Sequence, residues 1–269
     1  MKYNFVSVII PVFNANLLHL KKSLDSVKTQ SHQDFEVIIV DESTDKSCSS
    51  FCEEYSIMHT NFRYLRPQAR LCLTKSLNLA IEHAQYELIA RFDADDICHH
   101  ERLKWQLDFF NNHSDVDVLG GYLDIIDNDD NDISQRKYPQ ESGKIAYRMQ
   151  LECAIAHPTV MFKKGLYSMY GGYNTQYSNA EDLELWLRWL NKGVIFRNIP
   201  LPLIKYRQND FVRPLQHYKY SYRARLKTFN FRYFPLNVLG IIILLVIVLS
   251  PDIFLEMYYQ FKYRKELSK

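Results

Sequence analysis

Three carboxylates lie within four residues, at Asp93, Asp95 and Asp96. They follow Leu88-Ile-Ala-Arg-Phe92, an apolar run typical of a buried strand. Because like charges this close repel one another, a cation or a group of hydrogen-bond donors is expected beside them, and carboxylate oxygens suit Mg²⁺ or Mn²⁺. The alternative is a solvated acidic turn in which an aspartate caps a helix that begins near His99.

A second acidic pair, Glu181-Asp182, opens a segment with helical periodicity. Asn179 is predicted to be its N-cap, with Asp182 completing a capping box in the first turn, where the helix dipole favours an anion. Asp182 is therefore either a structural cap or a chemical group, depending on what it faces. The apolar positions that follow at helical spacing are Leu183, Trp186, Leu187 and Leu190.

Strand and helix patterns alternate in the first part of the chain, which predicts a mostly parallel sheet flanked by helices. Ligands bind beyond the carboxyl ends of such strands, so Asn14, Asp41 and the three aspartates are expected to converge there. The predicted strands are 5–10, 35–40, 63–66, 116–126, 157–162, 194–196 and 201–206, and the predicted helices include 73–84 and 141–152.

Two polar features of the later chain have alternative interpretations. His157 lies at the start of its predicted strand. In one interpretation its side chain contacts phosphate or acceptor, and in the other it forms hydrogen bonds with nearby backbone. The loop Asp127-Asn-Asp-Asp-Asn-Asp132 lacks the glycine and the distal glutamate of an EF-hand, so it is interpreted as a solvated, mobile loop.

Composition excludes several classes of protein. The five cysteines form no C-x-x-C, which argues against a zinc site or a disulfide framework and favours a reducing compartment. No G-x-G-x-x-G and no G-x-x-x-x-G-K-[ST] occurs, which argues against a common dinucleotide fold and a P-loop NTPase. The N-terminal apolar run is too short for a signal peptide.

The C-terminal part differs in charge from the rest. With 21 basic and 27 acidic residues, residues 1–200 carry a net charge of −6, whereas residues 201–269, with 12 basic and 4 acidic residues, carry +8. Tyr233 to Leu249 has no charged residue, and as a helix it would span about 26 Å, short of the ~30 Å hydrocarbon slab. Basic residues on both sides predict a membrane-associating segment, spanning or re-entrant, with both flanks at the cytoplasmic face and no role in nucleic-acid binding. The alternative is a buried core helix.

Four motifs, in this order and spacing, resemble those of the bacterial family 2 glycosyltransferases of GT-A fold. The resemblance covers about residues 5–210, and the motifs are Val8-Ile-Ile-Pro-Val-Phe-Asn14, Asp41-Glu-Ser-Thr-Asp45, Arg91-Phe-Asp-Ala-Asp-Asp96 and Ala180-Glu-Asp-Leu-Glu-Leu-Trp-Leu-Arg188. The chain departs from the family at Glu42, where a second aspartate is usual, and at Cys72, where glycine is common. The Q-x-x-R-W motif of processive members is absent, and Tyr206-Arg207 stands where non-processive members often carry such a pair.

The resemblance implies a GT-A (Rossmann-like) domain over 1–210, followed by a basic membrane-associating segment over 211–269. It implies an inverting transferase with Asp182 as the base and with Mn²⁺ or Mg²⁺ held by Asp93 and Asp95. The residues implied in binding the nucleoside-diphosphate sugar, expected to be a UDP-sugar, are Pro11, Val12, Phe13, Asn14, Asp41, Arg91, Asp93, Ala94 and Asp95. Further contacts to acceptor or phosphate are expected from His157, Glu181, Trp186 and Arg207.

The expected acceptor is a saccharide or a lipid-linked saccharide at the cytoplasmic face of the plasma membrane, in the biosynthesis of surface polysaccharide. Two other functions remain open from the sequence. A haloacid-dehalogenase-like phosphohydrolase also places two aspartates after a strand, although usually on the first strand of its domain. A non-catalytic, membrane-docked binder of sugar nucleotides would keep the same residues without turnover.

Overall fold

The computed structural model describes residues 2–208 and 213–249. Within these residues, nine strands form one sheet. Their bounds are β1 Val6–Val12, β2 Phe35–Asp41, β3 Phe62–Leu65, β4 Leu88–Arg91, β5 Ile97–Cys98, β6 Val118–Ile126, β7 Asp132–Arg136, β8 Met161–Lys163 and β9 Phe196–Arg207. The α-helices are α1 Leu17–Lys28, α2 Lys46–Met58, α3 Leu73–His83, α4 Arg102–Asn112, α5 Ser142–Met149, α6 Gly165–Tyr170, α7 Glu181–Leu190, α8 Leu215–Lys227 and α9 Leu236–Leu249.

The sheet is mixed, with a parallel majority. Its order is β3-β2-β1-β4-β8-β6-β9-β5, and β7 pairs with the free part of β6. Strands β3, β2, β1, β4, β6 and β9 run in one direction, whereas β8, β5 and β7 are antiparallel to their neighbours. The expected α/β sheet is present, and the carboxyl ends of β1, β2 and β4 lie at one edge.

Helices cover both faces of the sheet and bury two apolar clusters. On one face, Leu24 of α1 and Cys52 of α2 pack with alternate residues of β1 such as Val8. On the other face, Leu77 of α3 and Trp186 of α7 pack with the intervening residues of the same strands. Because side chains alternate across a strand, both faces of β1, β2 and β4 are apolar, which explains their continuous hydrophobic sequence.

Several element boundaries differ from the predicted ones. The predicted strand 157–162 is a 3₁₀ turn, His157–Thr159, followed by the short β8. The two predicted closing strands are one strand, β9, which continues through Pro200 and Pro202 with register shifts against β6. The helix expected near His99 begins at Arg102 instead.

The loop between β6 and β7 is largely solvent-exposed, as predicted, and its centre forms ion pairs with the rest of the chain. Asp130 forms ion pairs with Lys22 of α1 and, at 2.5 Å, with Arg207 of β9. The Asp127 carboxylate accepts two backbone N–H groups within the loop, from Asp129 and Asn131, both at 2.9 Å. These contacts join the loop to the edge of the sheet where the aspartates lie.

The C-terminal helices pack on the α/β body. Helix α9 contacts the end of α5 through Gly240, where a Cβ atom would overlap the carbonyl oxygen of Gln150. The remaining face of α9 is apolar and exposed at Leu239, Ile242, Ile243, Leu245, Val246 and Leu249. Across residues 2–208 and 213–249, no helix has both the length and the apolarity needed to cross a bilayer. The part of the predicted membrane segment at residues 250–269 lies outside the described residues.

The docking of α9 predicts the effect of one methyl group. Gly240→Ala places Cβ against the Gln150 backbone, so we expect a loss of about 1–3 kcal/mol in the free energy of unfolding, measured by urea denaturation. Gly143→Ala in α5 is the matched control, because nothing lies within 4 Å of its added Cβ. Equal stability of the two variants would contradict the close packing of α9.

Candidate active site

Two cavities meet at the carboxyl edge of the sheet, and Asp93 lines both. The smaller one, of about 330 Å³, is also lined by Pro11, Phe13, Asn14, Ala94, Asp95 and Arg207. The larger one, of about 850 Å³, is also lined by Arg91, His157, Glu181 and Asp182. Asp95 and Asp182, some ninety residues apart in sequence, therefore line neighbouring cavities that share Asp93.

Asn14 joins the loops after β1 and β2. Its backbone is left-handed, with φ 48°, a conformation that asparagine tolerates better than most residues. Its side-chain oxygen accepts the N–H groups of Thr44 and Asp45 at 2.9 and 3.0 Å, and its own N–H donates to the Ser43 hydroxyl at 2.8 Å. The Asn14 side chain thus fixes one wall of the smaller cavity.

Asp41 is fully buried behind that wall and lines neither cavity. Its carboxylate accepts the Ser43 N–H and the Tyr64 hydroxyl, both at 2.9 Å, and it pairs with Arg66 at 2.5 Å. Arg66 also donates to the Ser43 carbonyl at 2.8 Å. In this geometry Asp41 orders the loop, and the predicted contact with base or ribose stays a prediction.

The three aspartates after β4 have three different environments. Asp93 forms an ion pair with Arg91, whose side chain is only 4% exposed. Asp95 is solvent-exposed and lines the smaller cavity, and partial desolvation, followed by the charge of Asp93, raises its pKa to about 6. Asp96 is fully buried and accepts the N–H of Arg207 at 2.9 Å, and burial raises its pKa well above the usual range. None of the three caps the next helix, so the helix-cap part of the alternative interpretation is wrong, although Ala94 and Asp95 do form a turn.

Arg207 holds the floor of the smaller cavity. Its guanidinium donates to the Asp95 carbonyl at 3.0 Å and to the Asp127 carbonyl at 2.6 Å, in addition to its ion pair with Asp130. The Arg207 side chain therefore binds three different residues, and it positions the loop that carries Asp95.

Glu181 and Asp182 begin α7, but not through the predicted capping box. The residue before the helix is Ala180, in the left-handed conformation at φ 54°, and no side chain caps the helix there. Burial, and then the charge of Asp182, raises the pKa of Glu181 to about 7. Both carboxylates line the larger cavity.

Cys153 is a neighbour of Asp182 that the sequence did not reveal. Its Sγ lies 3.7 Å from Asp182 Oδ2 and 3.3 Å from the Ile155 carbonyl, while Asp182 Oδ1 accepts the Leu183 N–H at 2.8 Å. Burial, and then the charge of Asp182, raises the pKa of the Cys153 thiol, so it stays protonated and donates. Asp182 is therefore oriented by a thiol and a backbone amide.

His157 is held by side chains rather than by local backbone. Its Nε2 lies 2.7 Å from the Tyr173 hydroxyl, and its Nδ1 lies 3.9 Å from Glu181 Oε1. Burial, and then the charge of Arg91, lowers the pKa of His157 well below its usual value, so the ring is neutral. Its partner Tyr173 belongs to the Tyr170-Gly-Gly-Tyr-Asn174 turn, which the sequence marked only as a turn.

Most of the predicted site residues come together, with two further exceptions besides Asp41. Trp186 is fully buried and lines neither cavity; its indole packs edge-on against His157, with ring centroids 6.0 Å apart. Val12 is likewise buried under the smaller cavity. Both support the site from behind.

An α/β sheet of this order, with acidic loops at its carboxyl edge, is a GT-A-like fold. The chain belongs to glycosyl transferase family 2, whose sequence profile matches residues 7–170. The O-antigen biosynthesis glycosyltransferase WbnJ of Escherichia coli is 30% identical over 76% of this chain and 80% of that protein. The protein is therefore a glycosyltransferase, and the phosphohydrolase and non-catalytic interpretations are not supported.

Two solved structures share the fold. S. aureus TarS 1–349 in complex with UDP-GlcNAc superimposes with a TM-score of 0.64 and 20% identity over 84% of this chain and 66% of that chain. The mannosyltransferase PcManGT of Pyrobaculum calidifontis, in complex with GDP-Man and Mn²⁺, superimposes with a TM-score of 0.63 and 16% identity over 91% of this chain and 70% of that chain. The chain spans 39% of a longer TarS structure.

The environment of Glu181 predicts a pH-dependent stability. In the folded state Glu181 keeps its proton up to about pH 7, whereas the unfolded chain releases it near pH 4.3. Because the folded state binds more protons in this range, the free energy of unfolding falls as the pH rises between those values. Glu181→Gln cannot ionise, and we expect its thermal unfolding temperature to exceed that of the wild type more at pH 8 than at pH 5. Glu53→Gln on the exposed face of α2 is the control. A difference in unfolding temperature between Glu181→Gln and the wild type that does not change with pH would contradict the raised pKa of Glu181.

Proposed function

We propose that this glycosyltransferase moves a sugar from a UDP-sugar to a hydroxyl of a saccharide or lipid-linked acceptor, with inversion, in surface polysaccharide biosynthesis. The observation that carries the proposal is the position of Asp93, which lines both cavities while Asp182 lines the larger one. The smaller cavity would take the nucleotide, and the sugar would reach into the larger one. WbnJ, named for O-antigen biosynthesis, and TarS, solved with UDP-GlcNAc, support this choice.

The proposed reaction is a single displacement. The acceptor hydroxyl oxygen attacks the anomeric carbon, the bond from that carbon to the diphosphate oxygen breaks with its electron pair, and Asp182 takes the hydroxyl proton. Cys153 and the Leu183 amide orient the Asp182 carboxylate for this transfer. Inversion follows because attack and departure take place on opposite faces of the sugar.

A divalent cation fits the donor side, with the substrate completing its ligands. Among residues 2–208 and 213–249, no three histidine, cysteine or acidic side chains are gathered around a metal position. Asp93 is engaged by Arg91, whereas Asp95 offers its carboxylate to the smaller cavity. Mg²⁺ or Mn²⁺ commonly binds through one or two carboxylates plus substrate phosphates, so Asp95, assisted by Asp93, would hold it. The ion would neutralise charge on the leaving diphosphate.

The proposed location is the cytoplasmic face of the plasma membrane. The exposed apolar face of α9 and the exposed aromatic rings of Phe231 and Phe234 support this. The exposed basic side chains of α8, Lys219, Arg223 and Lys227, support it as well. Such a combination favours contact with an anionic lipid surface.

The role of Asp182 predicts a loss in turnover. Asp182→Asn removes the proton acceptor, and we expect kcat to fall on the order of 10²–10⁴-fold with donor affinity unchanged. The measurement is UDP released from a panel of UDP-sugars with a membrane-extract acceptor, with Asp115→Asn on the surface as control. Full activity of Asp182→Asn would exclude Asp182 as the base.

Metal dependence tests the donor side separately. EDTA is expected to abolish UDP release and Mn²⁺ to restore it. Asp95→Asn should raise the Mn²⁺ concentration for half-maximal activity at least about tenfold, because it removes an available ligand, whereas Asp182→Asn should leave that concentration unchanged. Unchanged activity in EDTA would contradict the proposed requirement for a divalent cation.

A further inference from the structure

The Cys153 thiol has two hydrogen-bond acceptors within reach and one hydrogen to donate. Its Sγ lies 3.3 Å from the Ile155 carbonyl oxygen and 3.7 Å from Asp182 Oδ2. A neutral thiol is a weak donor, and its hydrogen turns with rotation about the Cβ–Sγ bond. The S–H group can therefore point to the side-chain carboxylate or to the backbone carbonyl, and the charge on Asp182 decides between the two.

The thiol stays neutral beside the carboxylate. The Cys153 side chain is partly buried, and desolvation, followed by the charge of Asp182, raises the pKa of the thiol. The Ile155 carbonyl, Arg213 and Arg225 lower this pKa by less. Cys153 is therefore a hydrogen-bond donor at neutral pH and adds no second negative charge next to Asp182.

The two oxygens of the Asp182 carboxylate have different partners. Oδ1 accepts the Leu183 N–H at 2.8 Å. That N–H group belongs to the first turn of α7, so the helix backbone fixes its direction. Oδ2 faces the Cys153 thiol, which is a donor that can rotate. Oδ2 is therefore the oxygen that can accept a proton without displacing a fixed donor.

We propose that Cys153 is a positioning residue whose S–H donates to Asp182 Oδ2 while the carboxylate is ionised and turns to the Ile155 carbonyl once Oδ2 has accepted a proton. The inference rests on the proposed function and adds a hydrogen-bond switch beside its base. The O–H bond of the acceptor breaks, a new O–H bond forms on Oδ2, and the S–H bond stays intact. The thiol thus orients the base before the transfer and leaves room for the proton after it.

Infrared spectroscopy of the S–H stretch tests the switch without turnover. Subtracting the spectrum of Cys153→Ser isolates the Cys153 band from the bands of the other four cysteines. The measurement is made at about pH 8, above the usual range of carboxyl groups. In Asp182→Asn, with Cys153→Ser/Asp182→Asn as its reference, we expect the band at higher frequency than in the wild type. The reason is that an ionised acceptor binds the S–H hydrogen more strongly than a neutral one.

A second substitution identifies the alternative acceptor. Asp182→Ala has no side-chain acceptor and so gives the frequency of an S–H group bonded to the Ile155 carbonyl. The band of Asp182→Asn, which imitates the protonated carboxyl group, is expected to match it. Equal band positions in the wild type and Asp182→Ala would show that the thiol donates to Ile155 throughout, and a band of Asp182→Asn that matches the wild type would likewise overturn the switch.

Kinetics test whether the contact serves the reaction. Cys153→Ala removes the donor, and we expect kcat for UDP release to fall about five- to tenfold with the donor KM unchanged. Cys153→Ser keeps a rotating donor and should retain most of the wild-type kcat. Cys72→Ala is the matched control, because this exposed thiol lines neither cavity.

The kinetic outcomes separate this inference from the proposed function. Wild-type kcat in Cys153→Ala would overturn the positioning role. A loss in Cys153→Ser as large as in Cys153→Ala would also overturn it, because the sulfur would then only fill space. Failure of the wild type to release UDP from any UDP-sugar would refute the proposed function, whereas the infrared comparison would still report the contact between Cys153 and Asp182.

Discussion

The buried ion pair between Arg91 and Asp93 is the contact on which the site depends. It lies at the end of β4, where two cavities meet, and the Arg91 side chain is only 4% exposed. Removing Asp93 would leave the buried Arg91 guanidinium without its compensating charge, which is destabilising. The surroundings reinforce it: Arg102, itself buried, donates to the Arg91 carbonyl at 2.8 Å. Asp93 is thereby held at the junction while Asp95 stays available to the smaller cavity.

The second half of the site is built on a different part of the chain and meets the first through packing. Helix α7 is buried through Trp186 and Trp189, and it presents Glu181 and Asp182 at its first turn. Neutral His157 lies beside Glu181, with Trp186 edge-on to its ring and Tyr173 on its Nε2. The two acidic segments are therefore connected through buried side chains.

Sequence patterns predicted the parts of this arrangement that depend on periodicity. The continuous apolar runs of β1, β2 and β4 indicated a sheet covered on both faces, and the rule for carboxyl ends of strands brought Asn14 and the aspartates together. The patterns failed where conformation depends on tertiary contacts. Ala180 adopts a left-handed turn that nothing in its sequence indicates, and so the N-cap expected at Asn179 is wrong. Asp130 in the hydrophilic 127–132 loop pairs with Lys22 and Arg207, more than seventy residues away, which no local rule can detect. Cys153 had no signal at all, because its importance comes only from its contact with Asp182.

A crystal structure with Mn²⁺ and a non-hydrolysable UDP-sugar tests most directly whether the two acidic loops act on one substrate. The nucleotide is expected in the smaller cavity, with the ion on Asp95 and the anomeric carbon facing Asp182 across a gap that admits an acceptor hydroxyl at about 3–3.5 Å. A sugar directed away from Asp182, or a nucleotide bound outside the smaller cavity, would contradict the joint use of the two cavities and the role of Asp182 together.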